Sequence, residues 1–294
     1  MSLSEKINER KFIITTEVGP PKGINVDGIL NEAELVKGKV DGFNVTDMQS
    51  SVMRLGSLPM CHLLQDRGME AIFQLTCRDR NRLSLQSDLL NAYVLGIKNV
   101  LALTGDHPIL GDHPNAKPVF DLDSVSLLQV ATKLMGGRDM NGNELDGKPD
   151  FCLGAVVNPG AEPYELYELQ LIKMQKKIEC GAKFIQTQAI FDLEKFGEFM
   201  NRAQKFGVPV IGGIIILKSA GMARFMNNNI AGVSVPDRYI ERMATTAKED
   251  RPKIAVEIAS ELVEGMKKLC QGVHIMALGW ERYVPNLLRV SGLI

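Results

Sequence analysis

The 294-residue sequence has no apolar run approaching the roughly 20 residues that span a bilayer. Its longest apolar stretch, Val208 to Leu217, holds Pro209 and two glycines and reads as a buried strand. It has no surplus of either charge: 34 Lys and Arg stand against 35 Asp and Glu, for a net charge of −1. That balance argues against a nucleic-acid or membrane-surface binder, which needs a basic field. The amino-terminal segment is polar and lacks an apolar signal core; with no spanning segment, a cytoplasmic protein is expected. The five cysteines (Cys61, Cys77, Cys152, Cys180 and Cys270) are scattered, with no CxxC pair. Zinc and iron–sulfur centres need clustered ligands, so no metal is expected on this chain, and the thiols read as buried and reduced.

What is present is a repeated strand–helix grammar. An amphipathic stretch, a glycine and a short apolar run recur at Gly68, Gly96, Gly181, Gly207 and Gly272. Glycine after the last helical turn accepts the left-handed conformation that ends a helix and feeds the next strand. Strands are expected near 12–17, 42–46, 70–76, 98–103, 151–157, 183–188, 209–215 and 273–277. Helices are expected near 26–37, 50–67, 82–95, 123–135, 163–179, 193–205, 219–227, 238–269 and 283–291, with Pro252 able to begin a second helix inside 238–269. Eight strands alternating with helices predict an α/β fold, a closed (β/α)8 TIM barrel occupying residues 1–294 as one catalytic domain. An open doubly wound sheet would want GxGxxG after its first strand; here that strand leads into Gly19-Pro20-Pro21-Lys22-Gly23.

The apolar strands end in polar residues at the same end: Glu17, Thr46-Asp47, Gln74 and Thr76, Thr104-Gly105-Asp106, Asn158, Gln186 and Gln188. In a barrel these ends converge on one rim, where active sites lie. Singly, each polar residue marks only where a strand stops; together they predict a ligand pocket. The long segment from Gly105 to Asp121 follows the fourth strand and belongs to that face, whereas Gly136 to Asp150 precedes the fifth and reads as a surface turn. Glu17 is a candidate proton donor if burial raises its pKa. Gly105 would let a planar ligand approach the backbone. His107 and His113 sit in two Gly-Asp-His-Pro turns and read as turn residues rather than metal ligands. Lys173, Lys176 and Lys177 read as a solvated helix face from which one side chain could reach a phosphate.

Six of these strand segments, in order, resemble one known family. Thr16-Glu17-Val18-Gly19-Pro20-Pro21, Asn44-Val45-Thr46, Gln74-Leu75-Thr76-Cys77, Leu103-Thr104-Gly105-Asp106-His107-Pro108, Gly154-Ala155-Val156-Val157-Asn158-Pro159 and Gly181-Ala182-Lys183-Phe184-Ile185-Gln186-Thr187-Gln188 are similar to segments of the methylenetetrahydrofolate reductases. Gly232-Val233-Ser234-Val235-Pro236 and Gly272-Val273-His274-Ile275-Met276 resemble later family segments. The resemblance implies an oxidoreductase of one-carbon metabolism that reduces 5,10-methylenetetrahydrofolate to 5-methyltetrahydrofolate through a flavin, FMN or FAD. It implies Glu17 as proton-transfer group, Asp106 between flavin and pterin, and Gln188 against the folate. It places Thr46, Gln74, Thr104, Gly105, Asp106, Phe120, Asp123, Asn158 and Lys177 at the flavin. Met222 and Met276 stand where NADH-using relatives carry polar side chains, so the resemblance is nearest to the single-barrel reductases of acetogenic anaerobes. That implies electrons from an iron–sulfur companion subunit, within a possible oligomer. The other readings are a non-reducing pterin-binding methyltransferase barrel and a docking or electron-relay subunit of a larger complex.

Overall fold

The computed structural model describes residues 1–294. Eight parallel strands close into a barrel in sequence order: β1 (Ile13–Val18), β2 (Gly42–Val45), β3 (Ala71–Thr76), β4 (Asn99–Leu103), β5 (Cys152–Val157), β6 (Phe184–Ala189), β7 (Val210–Ile215) and β8 (Gly272–Met276). The ring is completed by pairing of Thr16 in β1 with Ile275 in β8. The expected (β/α)8 barrel is therefore the fold.

Around the barrel lie α2 (Asp27–Glu34), α3 (Ser57–Asp66), α4 (Arg82–Val94), α5 (Ser124–Met135), α6 (Tyr164–Glu179), α7 (Leu193–Ala203), α8 (Ala220–Asn229), α9 (Asp237–Thr245), α10 (Arg251–Met266) and α11 (Val284–Val290). The expected 238–269 helix is two helices, with Pro252 in the first turn of α10, where its missing N–H is not needed. Asn81, Asp123, Asp192 and Ser219 cap α4, α5, α7 and α8 with side-chain oxygens, satisfying amides that each helix start leaves free. No helix is long and apolar enough to cross a membrane.

Three local expectations are corrected. A short helix, α1 (Leu3–Asn8), precedes β1, nucleated by a Ser2–Glu5 capping box. Its Leu3 and Ile7 plug the floor of the barrel against Ile13, Ile72, Leu101, Cys152, Phe184 and Ile211. The helix expected at 50–67 begins only at Ser57, because Met48, Ser50 and Ser51 adopt left-handed backbone angles and Gly56 is extended. Gly272 is not a helix terminator like Gly68, Gly96, Gly181 and Gly207, which all have positive φ. It is a strand residue whose absent Cβ would lie 2.5 Å from the Ile13 carbonyl, so the β1–β8 seam closes over it.

Side chains alternate along each strand, so inward positions form layers. The lowest layer is apolar. The next is polar: Gln74 Nε2 donates to Asn44 Oδ1 at 2.8 Å, and Asn44 Nδ2 to Gln186 Oε1 at 2.6 Å. Thr15 Oγ1 meets His274 Nδ1 at 2.9 Å. Burial pushes the His274 pKa down to about 3, so its ring is neutral there. This polar layer is the floor of the mouth.

Candidate active site

Glu17 is the penultimate residue of β1, in register with Asn44 of β2, and shares the inward parity of Ile13 and Thr15. Its carboxyl is partly buried and has one hydrogen-bond partner, Gln49 Nε2, at a long 3.4 Å. Desolvation raises its pKa to about 7; Gln49 opposes that rise and the Glu281 charge adds to it. Glu17, Glu32 and Glu281 line one small cavity beside the end of β1. A carboxyl poised near neutrality is suited to giving and taking a proton in one reaction cycle.

Thr46 follows β2. Its hydroxyl is buried and has no hydrogen-bond partner in the protein, an arrangement that disfavours the free protein unless something else fills it. The neighbouring Asp47, read from the sequence as a pocket carboxylate, is instead enclosed. It accepts from the Thr76 amide and hydroxyl at 3.0 and 2.7 Å and from Arg80 at 2.7 and 3.2 Å. Asp47 and Thr76 therefore join β2 to β3 rather than facing a ligand.

After β4, Thr104, Gly105, Phe120 and Asp123 line one cavity of about 440 Å3 with His107, Asp121, Leu122 and Ser126. Gly105 has φ +91°, and an added Cβ would lie 3.1 Å from that of Arg78 and 3.2 Å from that of Thr76. The left-handed backbone and this crowding by Arg78 and Thr76 favour glycine at the position. Thr104 Oγ1 accepts from the Ser124 amide at 3.1 Å, and Asp123 accepts from Ser126 at 2.8 Å. Phe120 has φ +40° and stacks at 6.2 Å on His107. The Asp106 side chain is exposed at the mouth, while its carbonyl accepts from Ser51 Oγ at 2.8 Å.

The remaining residues are more dispersed. Lys177 reaches inward from α6 to the Val156 carbonyl at 2.6 Å. Burial lowers its pKa to about 8; Lys173 adds to that fall and Asp123 opposes it. Lys173 and Lys176 stay exposed. Asn158 is engaged, its amide donating to the Ala231 carbonyl at 2.9 Å and pinning the loop after β5 to the one after α8. Gln74 is buried in the amide chain of the floor. Gln188 sits where the β6–β7 register shifts, an irregularity of the kind that re-aims side chains next to active sites. No group of three or more His, Cys, Asp or Glu is arranged to hold a metal.

Sequence reasoning missed Gln49, Ser51 and Arg78. Of six non-glycine residues with positive φ, five lie in loops of this rim: Met48, Ser50, Ser51, Phe120 and Leu278. Left-handed backbone costs about 1–2 kcal/mol per such residue, and strain of this kind concentrates at functional sites.

Residues 2–292 match the family profile of methylenetetrahydrofolate reductase. The chain belongs to that family. It is 27% identical over 252 residues to methylenetetrahydrofolate reductase 2 of Schizosaccharomyces pombe, covering 79% of this chain and 37% of that one. It is 22% identical to a probable NADPH-dependent methylenetetrahydrofolate reductase of Caenorhabditis elegans, over 98% of this chain and 43% of the relative. The chain thus spans about two fifths of the length of these curated reductases. Among solved structures, a Clostridium thermocellum protein that binds two copies of 5-methyl-5,6,7,8-tetrahydrofolic acid superposes with a TM-score of 0.66 at 18% identity, over 99% of both chains. That likeness speaks to the fold. Within this barrel, Glu17 and the unpartnered Thr46 hydroxyl are the features whose chemistry calls for a ligand.

Proposed function

We propose that the chain, acting as one barrel domain over residues 1–294, reduces 5,10-methylenetetrahydrofolate to 5-methyltetrahydrofolate by way of a bound flavin. The observation that carries this reading is Glu17: a partly buried carboxyl with one long hydrogen bond at the mouth of a barrel of this family, where desolvation raises its pKa to about 7. The residues present suit a flavin. Thr46 offers a buried hydroxyl without a partner, Gly105 lines the cavity after β4, and Lys177 supplies a cationic group near Asp123. Thr104, Phe120 and Asp123 would line its cavity, with Gln74 and Asn158 supporting the surrounding strands and loops. Either FMN or FAD suits these contacts.

Bound flavin supplies the hydride. The protein's own part is proton handling and charge. Glu17, half protonated near neutrality, donates to folate N10, opening the five-membered ring to an iminium cation. The Asp106 carboxylate, exposed toward the mouth, stabilises that cation. Gln188, at the bulge in β6, orients the pterin. Met276 at the end of β8 and Met222 in α8 offer a nicotinamide carboxamide no strong hydrogen bond. A site lacking such groups discriminates against a substrate that needs them, so electrons arrive from a companion protein carrying an iron–sulfur cluster.

The test is purification and turnover. The chain is expected to be yellow, with absorbance near ~450 nm from flavin. It should reduce methylenetetrahydrofolate with reduced viologen and show little turnover with NADH or NADPH. A colourless chain that gains no activity on flavin addition would overturn the flavin reading; brisk NADH-dependent turnover would overturn the companion alone.

A further inference from the structure

Two residues apart on one short segment, Gln49 contacts the Glu17 carboxyl and Ser51 the backbone of the Asp106 loop. Gln49 Nε2 lies 3.4 Å from Glu17 Oε1, and Ser51 Oγ lies 2.8 Å from the Asp106 carbonyl and 3.3 Å from that of His107. The segment has an improbable backbone: φ is +47° at Met48, +55° at Ser50 and +58° at Ser51. None of these is glycine, so nothing intrinsic to the sequence favours the shape; the surroundings must impose it.

One buried group that holds the segment is Arg78, from the turn after β3. It is 2% exposed, held by Asp79 through Nε and Nη2, and its Nη1 donates to Ser51 Oγ at 3.1 Å. Because the arginine has only donors, Ser51 must accept there and turn its one proton toward Asp106. The polarity of the whole chain is thereby fixed: Arg78 to Ser51 to the Asp106 carbonyl. Gly111 closes the other side, since a Cβ there would fall 1.9 Å from the Ser51 carbonyl.

We propose that Met48–Ser51, locked by Arg78, is a positioning clamp that sets Glu17 and the Asp106 loop relative to one another across the mouth. Gln49, Ser51 and Arg78 are then positioning residues acting through Glu17 and Asp106, an inference that rests on the reductase reading for its consequences in turnover. Ser51 does not touch Glu17. If the segment is one mechanical unit, loss of the Ser51 hydroxyl frees it to relax toward ordinary backbone angles and draws Gln49 away from the Glu17 carboxylate. A carboxylate that loses a donor binds its proton more tightly.

The test follows the Glu17 carboxyl by 13C NMR pH titration in the full chain with its bound flavin oxidised, assigned by its loss in Glu17→Gln. Gln49→Leu should raise the Glu17 midpoint by about half a pH unit, the size of one modest hydrogen bond. Ser51→Ala should raise it similarly, and Gln49→Leu/Ser51→Ala should raise it no further, since both act through one contact. The titratable groups that face Glu17 from neighbouring elements, Glu281 in the turn after β8 and Glu32 on α2, are untouched by these substitutions. Arg78→Lys, which keeps the charge but loses the forked geometry, should fall between wild type and Ser51→Ala. In turnover, Ser51→Ala should lower kcat about tenfold with KM changed less than about twofold, the pattern of an interaction needed only in the transition state. A Glu17 midpoint that stays put in Ser51→Ala, or shifts that add in the double variant, overturns the clamp. Because the titration needs no turnover, an inactive wild type would refute the reductase reading and leave this result standing on its own.

Discussion

Glu17→Gln tests the site most directly, because it separates proton chemistry from everything else the barrel does. With a pKa of about 7, Glu17 is roughly 90% protonated at pH 6 and roughly 10% at pH 8. The rate of methylenetetrahydrofolate reduction by pre-reduced enzyme should therefore bend, nearly flat below pH 6 and falling about tenfold per pH unit above pH 8. A carboxyl at its usual value of 4.5 would give no bend in this range, only a continuous fall of about a hundredfold from pH 6 to 8. Glu17→Gln should lower the folate step by about 10²–10⁴-fold and flatten what remains, while leaving flavin reduction by viologen intact. Stability carries the same signature with a definite sign. The folded pKa is raised, so the unfolded chain releases this proton first. Folding is then penalised as pH rises from about 4.5 to about 7, and the penalty is complete above that. Replacing the carboxyl with an amide removes the penalty: Glu17→Gln should be more stable than wild type by about 1–3 kcal/mol at pH 8 and equal to it below pH 4.5. Urea unfolding at the two pH values reads this. A straight pH–rate profile, or a stability difference independent of pH, would show that Glu17 titrates like a solvated carboxylate and refute the assignment.

Thr46→Val should stabilise the flavin-free chain by about 1 kcal/mol, since it removes a buried hydroxyl without a partner, and should weaken flavin binding about five- to tenfold by fluorescence titration. Asp106→Asn should keep the fold, slow folate reduction and shift the flavin potential upward, because one negative charge no longer opposes the anionic reduced ring; a potential that is unchanged or lower would remove Asp106 from the flavin. Ser50→Gly should relieve left-handed strain at φ +55° without touching the contacts of Gln49 or Ser51, raising Tm by about 2 °C.

The strands and the rim were legible because both are written in local signals. Alternation fixes which residues face inward, and a strand must end in something polar, so Glu17, Thr46, Gly105 and Gln188 could be placed from neighbours in sequence alone. What each does once there depends on partners far away along the chain. Asp47 and Asn158 have the same strand-end placement as Glu17, yet Asp47 is enclosed by Arg80, 33 residues on, and Asn158 is tied to Ala231, 73 residues on. Nothing local distinguishes a carboxylate with an arginine over it from one without. Residues 48–51, Met-Gln-Ser-Ser, were illegible for a different reason. Left-handed backbone is signalled by glycine or asparagine, and this segment has neither, so the helix expected at 50–67 overran its second half. Its one contact with a buried charge is to Arg78, a residue of another loop. Strain that the local sequence would not choose, held by a buried charge and joined to Glu17 and the Asp106 loop at the mouth, is a departure from local consistency of the sort that function explains and stability does not.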